Sequence, residues 1–251
     1  MASSRRTVLR AATVGAVGAA GAAASGLPAT AEERTGNGPR IGILLYDRFS
    51  LLDPTGPAEI LARLPGATVT MIAERPGPVR TDTGDVAVLA ERAIADVRRL
   101  DVLLVPGGSE RGVLGVFERP NLLDWIRRIH RTTQWTTSVC TGSMILGKAG
   151  LLNGLRATTY WSGKDYLETL GATYVPERYV RDGKIITSAG VSAGQDLALY
   201  LASLLAGEQT AKALQLAVEY DPQPPFDTGS PAKAGPELQK LALRLLADSQ
   251  V

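Results

Sequence analysis

The sequence is poor in the residues that build disulfides and metal sites. Its 251 residues include one cysteine, Cys140, and one histidine, His130. A single cysteine cannot form an internal disulfide, and one cysteine with one distant histidine supplies too few ligands for a zinc-type site. We therefore expect no structural disulfide, no metal and no cofactor. Any chemistry of Cys140 has to proceed without a neighbouring histidine.

The sequence also lacks a strong excess of charge of either sign. It has 27 basic and 25 acidic side chains, a formal net charge of +2. Residues 1–31 hold three arginines and no acid, so a chain without them has 220 residues and a net charge of −1. A near-neutral chain has no electrostatic reason to bind nucleic acid or an anionic membrane. The 45% hydrophobic content and the length fit one globular domain over residues 40–251.

The first 31 residues have the composition of an export signal. A basic start with paired Arg5 and Arg6 precedes an uncharged run rich in Ala, Gly and Val over residues 11–24, and the small-residue motif Ala-Thr-Ala ends at Ala31. The arginine pair resembles the twin-arginine type of signal. We predict a cleavable signal at 1–31, a flexible lead-in at 32–39 and an exported protein. A retained N-terminal anchor is the alternative, although the run is short and glycine-rich for a membrane span.

Short apolar segments alternate with helical ones along the rest of the chain. Nearly continuous apolar or β-favouring runs at 40–46, 67–74, 101–108 and 135–139 predict strands that are covered on both faces. Helices are predicted near 57–64, at 122–131, after Cys140 and from 193 onwards, and a hairpin is predicted about Asp182-Gly183. This order predicts an α/β domain with a mostly parallel sheet and helices on both faces.

Cys140 lies in the stretch WTTSVCTGSMILGKAGLL, where a predicted strand passes into a predicted helix. Such a junction resembles the nucleophile elbow of hydrolases. Unpaired N–H groups and the positive dipole end of a helix favour a thiolate, so we expect a solvent-reachable thiol with a depressed pKa. The alternative is that Cys140 is a small buried hydrophobic residue of the core.

Several motifs resemble one branch of the class I glutamine amidotransferase-like superfamily. The segments LLDPTGP, VPGG, SVCTGSMILGKAGLLNGLRATTYW, GVSAGQDLAL and EYDPQPPFDTGSP follow one another in the order seen in that branch, from about residue 40 to about 231. The branch contains isonitrile hydratases and the sensor domains of AraC-like regulators. The resemblance implies a flavodoxin-like fold, usually in a homodimer, and a small-molecule substrate.

The resemblance also implies which residues surround the cysteine. The acidic partner is Asp53, at the end of LLD, with Glu59 as a weaker alternative on the next helical turn. The Thr141 hydroxyl is expected to touch substrate. Gly107 and Gly108 either form only a tight turn or bind substrate, with the N–H groups of Gly108 and Thr141 lining a hole for developing negative charge.

The chain departs from the family pattern at one position. Many relatives read ATTHW where this chain reads ATTYW, so Tyr160 replaces a histidine. His130 belongs to the apolar stripe of a predicted helix and is interpreted as a boundary residue of the core. A Cys–His protease or amidotransferase mechanism is therefore not expected.

The chemistry that remains needs a thiol and a carboxyl alone. The first hypothesis is hydration of an organic isocyanide to an N-substituted formamide by Cys140 and Asp53. The alternatives are a non-catalytic thiol or ligand sensor, and glyoxalase- or deglycase-like chemistry on reactive carbonyls. Only about 20 residues follow Pro231, so a C-terminal DNA-binding domain is not expected.

Overall fold

A computed structural model describes residues 37–251 of the chain. The signal-peptide prediction at 1–31 and most of the lead-in at 32–39 lie outside the described residues. The strands are β1 (Arg40–Leu44), β2 (Thr68–Ala73), β3 (Gly77–Arg80), β4 (Ala87–Ala90), β5 (Arg92–Ala93), β6 (Val102–Val105), β7 (Trp135–Ser138), β8 (Arg156–Ala157), β9 (Thr173–Tyr174), β10 (Tyr179–Asp182) and β11 (Ile185–Ser188). The α-helices are α1 (Leu52–Leu61), α2 (Glu110–Phe117), α3 (Pro120–Thr132), α4 (Gly142–Lys148), α5 (Lys164–Thr169), α6 (Ala193–Ala206), α7 (Glu208–Ala217) and α8 (Pro236–Ser249).

The central sheet has seven strands in the order β10-β11-β7-β6-β1-β2-β5. Every neighbouring pair in it is parallel except β10–β11, which is the predicted hairpin. The four strands predicted from apolar runs are β1, β2, β6 and β7, and all four are adjacent in the sheet, in the order β7-β6-β1-β2. The predicted mostly parallel α/β architecture is confirmed.

Two hydrophobic cores cover the two faces of this sheet. Alternate residues of one strand point into different cores, as in β6, where Val102 and Leu104 join one core and Leu103 and Val105 the other. Helices α2, α3 and α4 cover one face, and α1, α6 and α7 cover the other. Burial on both faces explains why the central strands are continuously apolar in sequence.

The first helix begins earlier than its sequence pattern predicts. The expected helix at 57–64 with Pro57 in its first turn is wrong: α1 spans Leu52–Leu61, and Pro57 lies in its interior. The buried face of α1 packs against α6 and begins at Asp53, so tertiary packing outweighs the helix-breaking tendency of proline. Asp53 consequently stands in the first turn of a helix and not in the preceding loop.

Candidate active site

Cys140 forms a strained elbow between β7 and α4. Its φ of 56° places a non-glycine residue in the left-handed region, which costs of order 1–3 kcal/mol. Four hydrogen bonds hold it there. Its N–H lies 3.2 Å from the Ser188 carbonyl and 3.0 Å from the Ala189 carbonyl, and its own carbonyl accepts from Ser143 Oγ at 3.2 Å and Thr159 Oγ1 at 3.1 Å. The predicted strand-to-helix elbow is therefore present, and β11 and the segment after β8 fix its shape.

The Cys140 sulfur is buried, and its ionisation is unfavourable. The residue is 6% exposed. Burial is the main cause that raises the pKa of the thiol far above its usual value, and the neighbouring Asp53 carboxyl raises it further. Hydrogen bonds from the N–H groups of Val191 and Thr141 and from the Thr141 hydroxyl oppose this rise without cancelling it. The expectation of a solvent-reachable thiol with a depressed pKa is wrong, because desolvation outweighs the nearby donors and α4 has only seven residues.

Asp53 is fully buried beside the cysteine. Its Oδ2 accepts the Gly107 N–H at 2.7 Å. Within the described part of the chain, its Oδ1 has no hydrogen-bond partner. Burial raises the pKa of this carboxyl to about 7, the Gly107 hydrogen bond lowers it, and the charge of Asp82 raises it. A carboxyl with one fixed oxygen, one free oxygen and a pKa near neutrality is suited to exchanging a proton with a ligand.

Gly107 is the point at which Asp53 and Thr141 approach each other. A Cβ atom added to Gly107 would lie 2.6 Å from Thr141 N, 2.7 Å from Thr141 Oγ1 and 2.9 Å from Asp53 Oδ2. Real Cβ atoms do not approach other atoms so closely, so only glycine fits between these groups. The turn after β6 thus brings the carboxyl and the threonine into one cluster with Cys140.

Gly108 takes a different role from the predicted one. Its N–H donates to Thr141 Oγ1 at 3.0 Å, and the Thr141 hydroxyl also lies 3.1 Å from the Gly108 carbonyl. The proposed hole made by the N–H groups of Gly108 and Thr141 is therefore not formed, because one donor is already satisfied and the other faces the Cys140 sulfur. Gly107 and Gly108 shape the site and orient Thr141 and Asp53.

Two further residues of the site were not identified from the sequence. Tyr46 is buried just after β1, and its hydroxyl donates to the Pro106 carbonyl at 3.0 Å. Burial raises the pKa of Tyr46 well above its usual value, and the charges of Asp53 and Cys140 raise it further. Asp82 is half-buried, and its N–H donates to the Phe49 carbonyl at 2.9 Å. The position of Tyr46 at the carboxyl end of an apolar run was a usable signal, whereas Asp82 lies in a turn-rich segment that carried none.

Tyr160 lies near Cys140, whereas His130 and Glu59 make their contacts elsewhere. The Tyr160 ring packs against Gly190 and against the core that contains Cys140, and burial raises the pKa of its hydroxyl. His130 bonds Thr136 Oγ1 at 2.9 Å, at the opposite end of β7 from the cysteine. Glu59 is exposed and pairs with Arg63 at 2.6 Å. The interpretation of His130 as a structural residue is confirmed, and Glu59 is not a partner of Cys140.

The described residues contain no group of three or more His, Cys, Asp or Glu side chains arranged to hold a metal ion. Over residues 37–251, no helix is long and apolar enough to cross a membrane.

Comparisons with known proteins show which proteins this chain is similar to. An isonitrile hydratase from Pseudomonas putida is 46% identical over 195 residues, which cover 78% of this chain and 84% of that protein. The crystal structure of a THiJ/PfpI family protein from Pseudomonas syringae matches with a TM-score of 0.80 at 34% identity and covers 90% of this chain and 93% of that one. A glutathione-independent glyoxalase from Caenorhabditis elegans is 24% identical over 139 residues, 55% of this chain and 73% of that protein.

These likenesses confirm the flavodoxin-like α/β fold and the resemblance to the amidotransferase-like superfamily. The sequence model of the DJ-1/PfpI family matches residues 39–204, which is more than half of the chain, so the chain belongs to this family.

Proposed function

We propose that the protein hydrates a small organic isocyanide to an N-substituted formamide, with Cys140 as nucleophile and Asp53 as general acid and base. The observation that carries this proposal is the buried Cys140–Asp53 pair, in which the charge of Asp53 raises the pKa of the thiol and burial raises the pKa of both groups. With a protonated thiol and an Asp53 pKa of about 7, a carboxylate able to accept the thiol proton is present near neutral pH, so the pair can move that proton without a histidine. The 46% identity to an isonitrile hydratase supports the same reaction.

The first half of the reaction joins the thiol to the isocyanide carbon. Asp53 takes the Cys140 proton as the sulfur adds to the terminal carbon of R–N≡C, and it delivers this proton to the same carbon. The product is a thioimidate, R–N=CH–S–Cys140. Because the donors at Thr141 and Val191 face the sulfur, the thiolate gains stabilisation as the proton leaves.

The second half uses one water. Asp53, now a carboxylate, removes a proton from water as the oxygen attacks the thioimidate carbon, and it transfers this proton to nitrogen. The resulting HO–CH(NHR)–S–Cys140 loses its hydroxyl proton to Asp53 as the C–S bond breaks. The products are R–NH–CHO and the original pair with its one proton. The free Oδ1 of Asp53 is the oxygen available for these transfers.

Formamide production from cyclohexyl isocyanide by purified protein tests this proposal. Asp53→Asn keeps the size of the side chain and removes the proton exchange, so turnover should fall by roughly 10²–10⁴-fold. Cys140→Ala should be inactive. Glu59→Gln is the matched control, since it changes an exposed carboxyl on the same helix and should leave turnover unchanged. Near-normal turnover of Asp53→Asn, or no formamide from several small isocyanides with the unaltered protein, would overturn the proposal.

Assays on the same purified protein distinguish isocyanide hydration from two alternative functions, glyoxalase-like chemistry and thiol sensing. Glyoxalase-like chemistry is favoured by the glyoxalase relative, and it predicts consumption of a 2-oxoaldehyde with Cys140 but no formamide product. A thiol sensor requires a readily oxidised thiolate, and the burial of Cys140 with its raised pKa argues against that role.

A further inference from the structure

A concave region lies at the carboxyl ends of β1 and β2, at the same edge of the sheet as Cys140. It consists of two adjoining cavities of about 570 Å³ and about 210 Å³, both lined by Tyr46, Asp47 and Arg119. We call this region the arginine groove. Tyr46 is shared with the candidate active site, whereas Cys140, Asp53 and Thr141 do not line the groove. The carboxyl edge of an open α/β sheet is where such folds bind ligands, and cavities of 300–1,000 Å³ suit small molecules.

The arginine groove concentrates positive charge. Five arginines line it, and they are Arg48, Arg75, Arg80, Arg111 and Arg119. Its two acids are each paired with one arginine, Glu74 with Arg119 and Asp47 with Arg48 at 3.4 Å. The other three arginines have no acidic partner among residues 37–251, so the groove carries a charge of +3.

This charge is unusual for the chain as a whole. Residues 1–36 hold four arginines and two glutamates, so residues 37–251 have 23 basic and 23 acidic side chains and a net charge of zero. A local charge of +3 in a concave region of a neutral domain creates a potential that attracts anions.

Part of the groove is held in place before any ligand binds. The Glu74 carboxylate accepts from Arg119 and, through its other oxygen, from Asn121 Nδ2 at 3.0 Å, which ties the start of α3 to the segment after β2. Arg80 donates through Nη1 to the Gly84 carbonyl at 2.8 Å. A guanidinium whose position is already fixed loses less conformational entropy on binding.

We propose that the arginine groove binds a small molecule with at least two negative charges, separately from the Cys140 site. Guanidinium groups bind phosphate and carboxylate oxygens through paired N–H donors. Among the described residues, Arg75 and Arg111 form no ion pair with an acidic side chain, so their N–H donors can bind an anionic ligand. A phosphate ester and a polycarboxylate present the same oxygen chemistry. The proposal does not depend on the hydration reaction.

Calorimetric titration of the purified protein with pyrophosphate and with citrate tests this inference and distinguishes the two ligand chemistries. Acetate is the singly charged comparison. We expect saturable binding of pyrophosphate, citrate or both, with acetate at least about 10-fold weaker, and weaker binding at higher salt. Arg75→Gln and Arg111→Gln should each raise the dissociation constant about 3- to 10-fold, and the double variant should raise it further.

Arg128→Gln is the matched control, because Arg128 is exposed on α3 and does not line the groove. It should change the dissociation constant less than about twofold. The inference is wrong if neither pyrophosphate nor citrate binds, if acetate binds equally well, or if Arg128→Gln weakens binding as much as Arg75→Gln. Formamide turnover of the arginine variants should equal that of the unaltered protein, so failure here leaves the Cys140 chemistry unaffected.

Discussion

At the scale of single residues, burial makes both Cys140 and Asp53 harder to ionise, and the charge of Asp53 adds to this effect on the thiol. The sulfur lies out of water and near a carboxyl, and the carboxyl is buried with one hydrogen bond. The consequence is a protonated resting thiol beside a carboxyl that titrates near neutral pH, which differs from the thiolate expected of an exposed cysteine at a helix N-terminus. The reactivity of the thiol therefore depends on proton transfer to Asp53.

The pH dependence of alkylation by iodoacetamide tests this residue-scale picture. The folded protein should react with a midpoint above the ordinary thiol value of about 8.5, since burial raises the pKa of Cys140. Asp53→Asn removes the negative neighbour, so its midpoint should lie below that of the unaltered protein. A midpoint below about 8.5 in the unaltered protein, or no change in Asp53→Asn, would contradict the coupling of the two groups.

At the scale of elements, the site depends on how closely the turn after β6 approaches the elbow after β7. The two strands are neighbours in the sheet, and α1 brings Asp53 to the same edge. Glycine at position 107 allows the backbone N–H to reach Asp53 Oδ2 while Thr141 occupies the adjoining space. The close approach of α1, the turn after β6 and the elbow after β7 therefore depends on the absence of a side chain at Gly107.

Gly107→Ala tests this element-scale picture. Because the added methyl would lie 2.9 Å or less from Thr141 and Asp53, we expect turnover to fall by at least about 100-fold and the protein to lose about 1–3 kcal/mol of unfolding free energy. Gly115→Ala is the matched control, since a Cβ on that glycine of α2 meets no atom within 4 Å. Formamide assays and urea denaturation measure the two effects. Equal behaviour of the two variants would show that the close approach is unimportant.

At the scale of the whole molecule, location and assembly remain proposals. We propose that the protein is exported through a twin-arginine-type signal at 1–31 and that the mature chain acts as a homodimer on a small-molecule substrate. The family resemblance implies a homodimer, and the sequence of residues 1–31 has the order of a signal.

Export is tested by changing the arginine pair conservatively. Arg5→Lys with Arg6→Lys retains the charge and removes the paired guanidinium groups, so the precursor should accumulate inside a host that has a twin-arginine pathway. Arg10→Lys is the control outside the pair and should be exported normally. Cell fractionation followed by mass determination of the exported chain measures the cleavage position, expected after Ala31. Normal export of the paired variant would argue against this pathway.

The sequence by itself determined the order of the central strands along the chain and the position of the elbow. Continuous apolar runs mark strands buried on both faces, and a lone cysteine between a strand and small residues marks the turn. The motif order also indicated the family, and the resemblance implied a role for Asp53 beside Cys140. The strands and the elbow could be predicted because each depends on residues close together in the chain.

Only the tertiary structure decided the direction of the thiol pKa shift, the partner of the Gly108 N–H, the position of Tyr46 and the existence of the arginine groove. Asp53 and Gly107 are 54 positions apart, and Gly108 and Thr141 are 33 apart. Desolvation and hydrogen-bond competition depend on which distant segments pack together, and local sequence patterns carry no record of that packing. The local signal at Cys140 favoured a thiolate, and burial by distant elements reversed it.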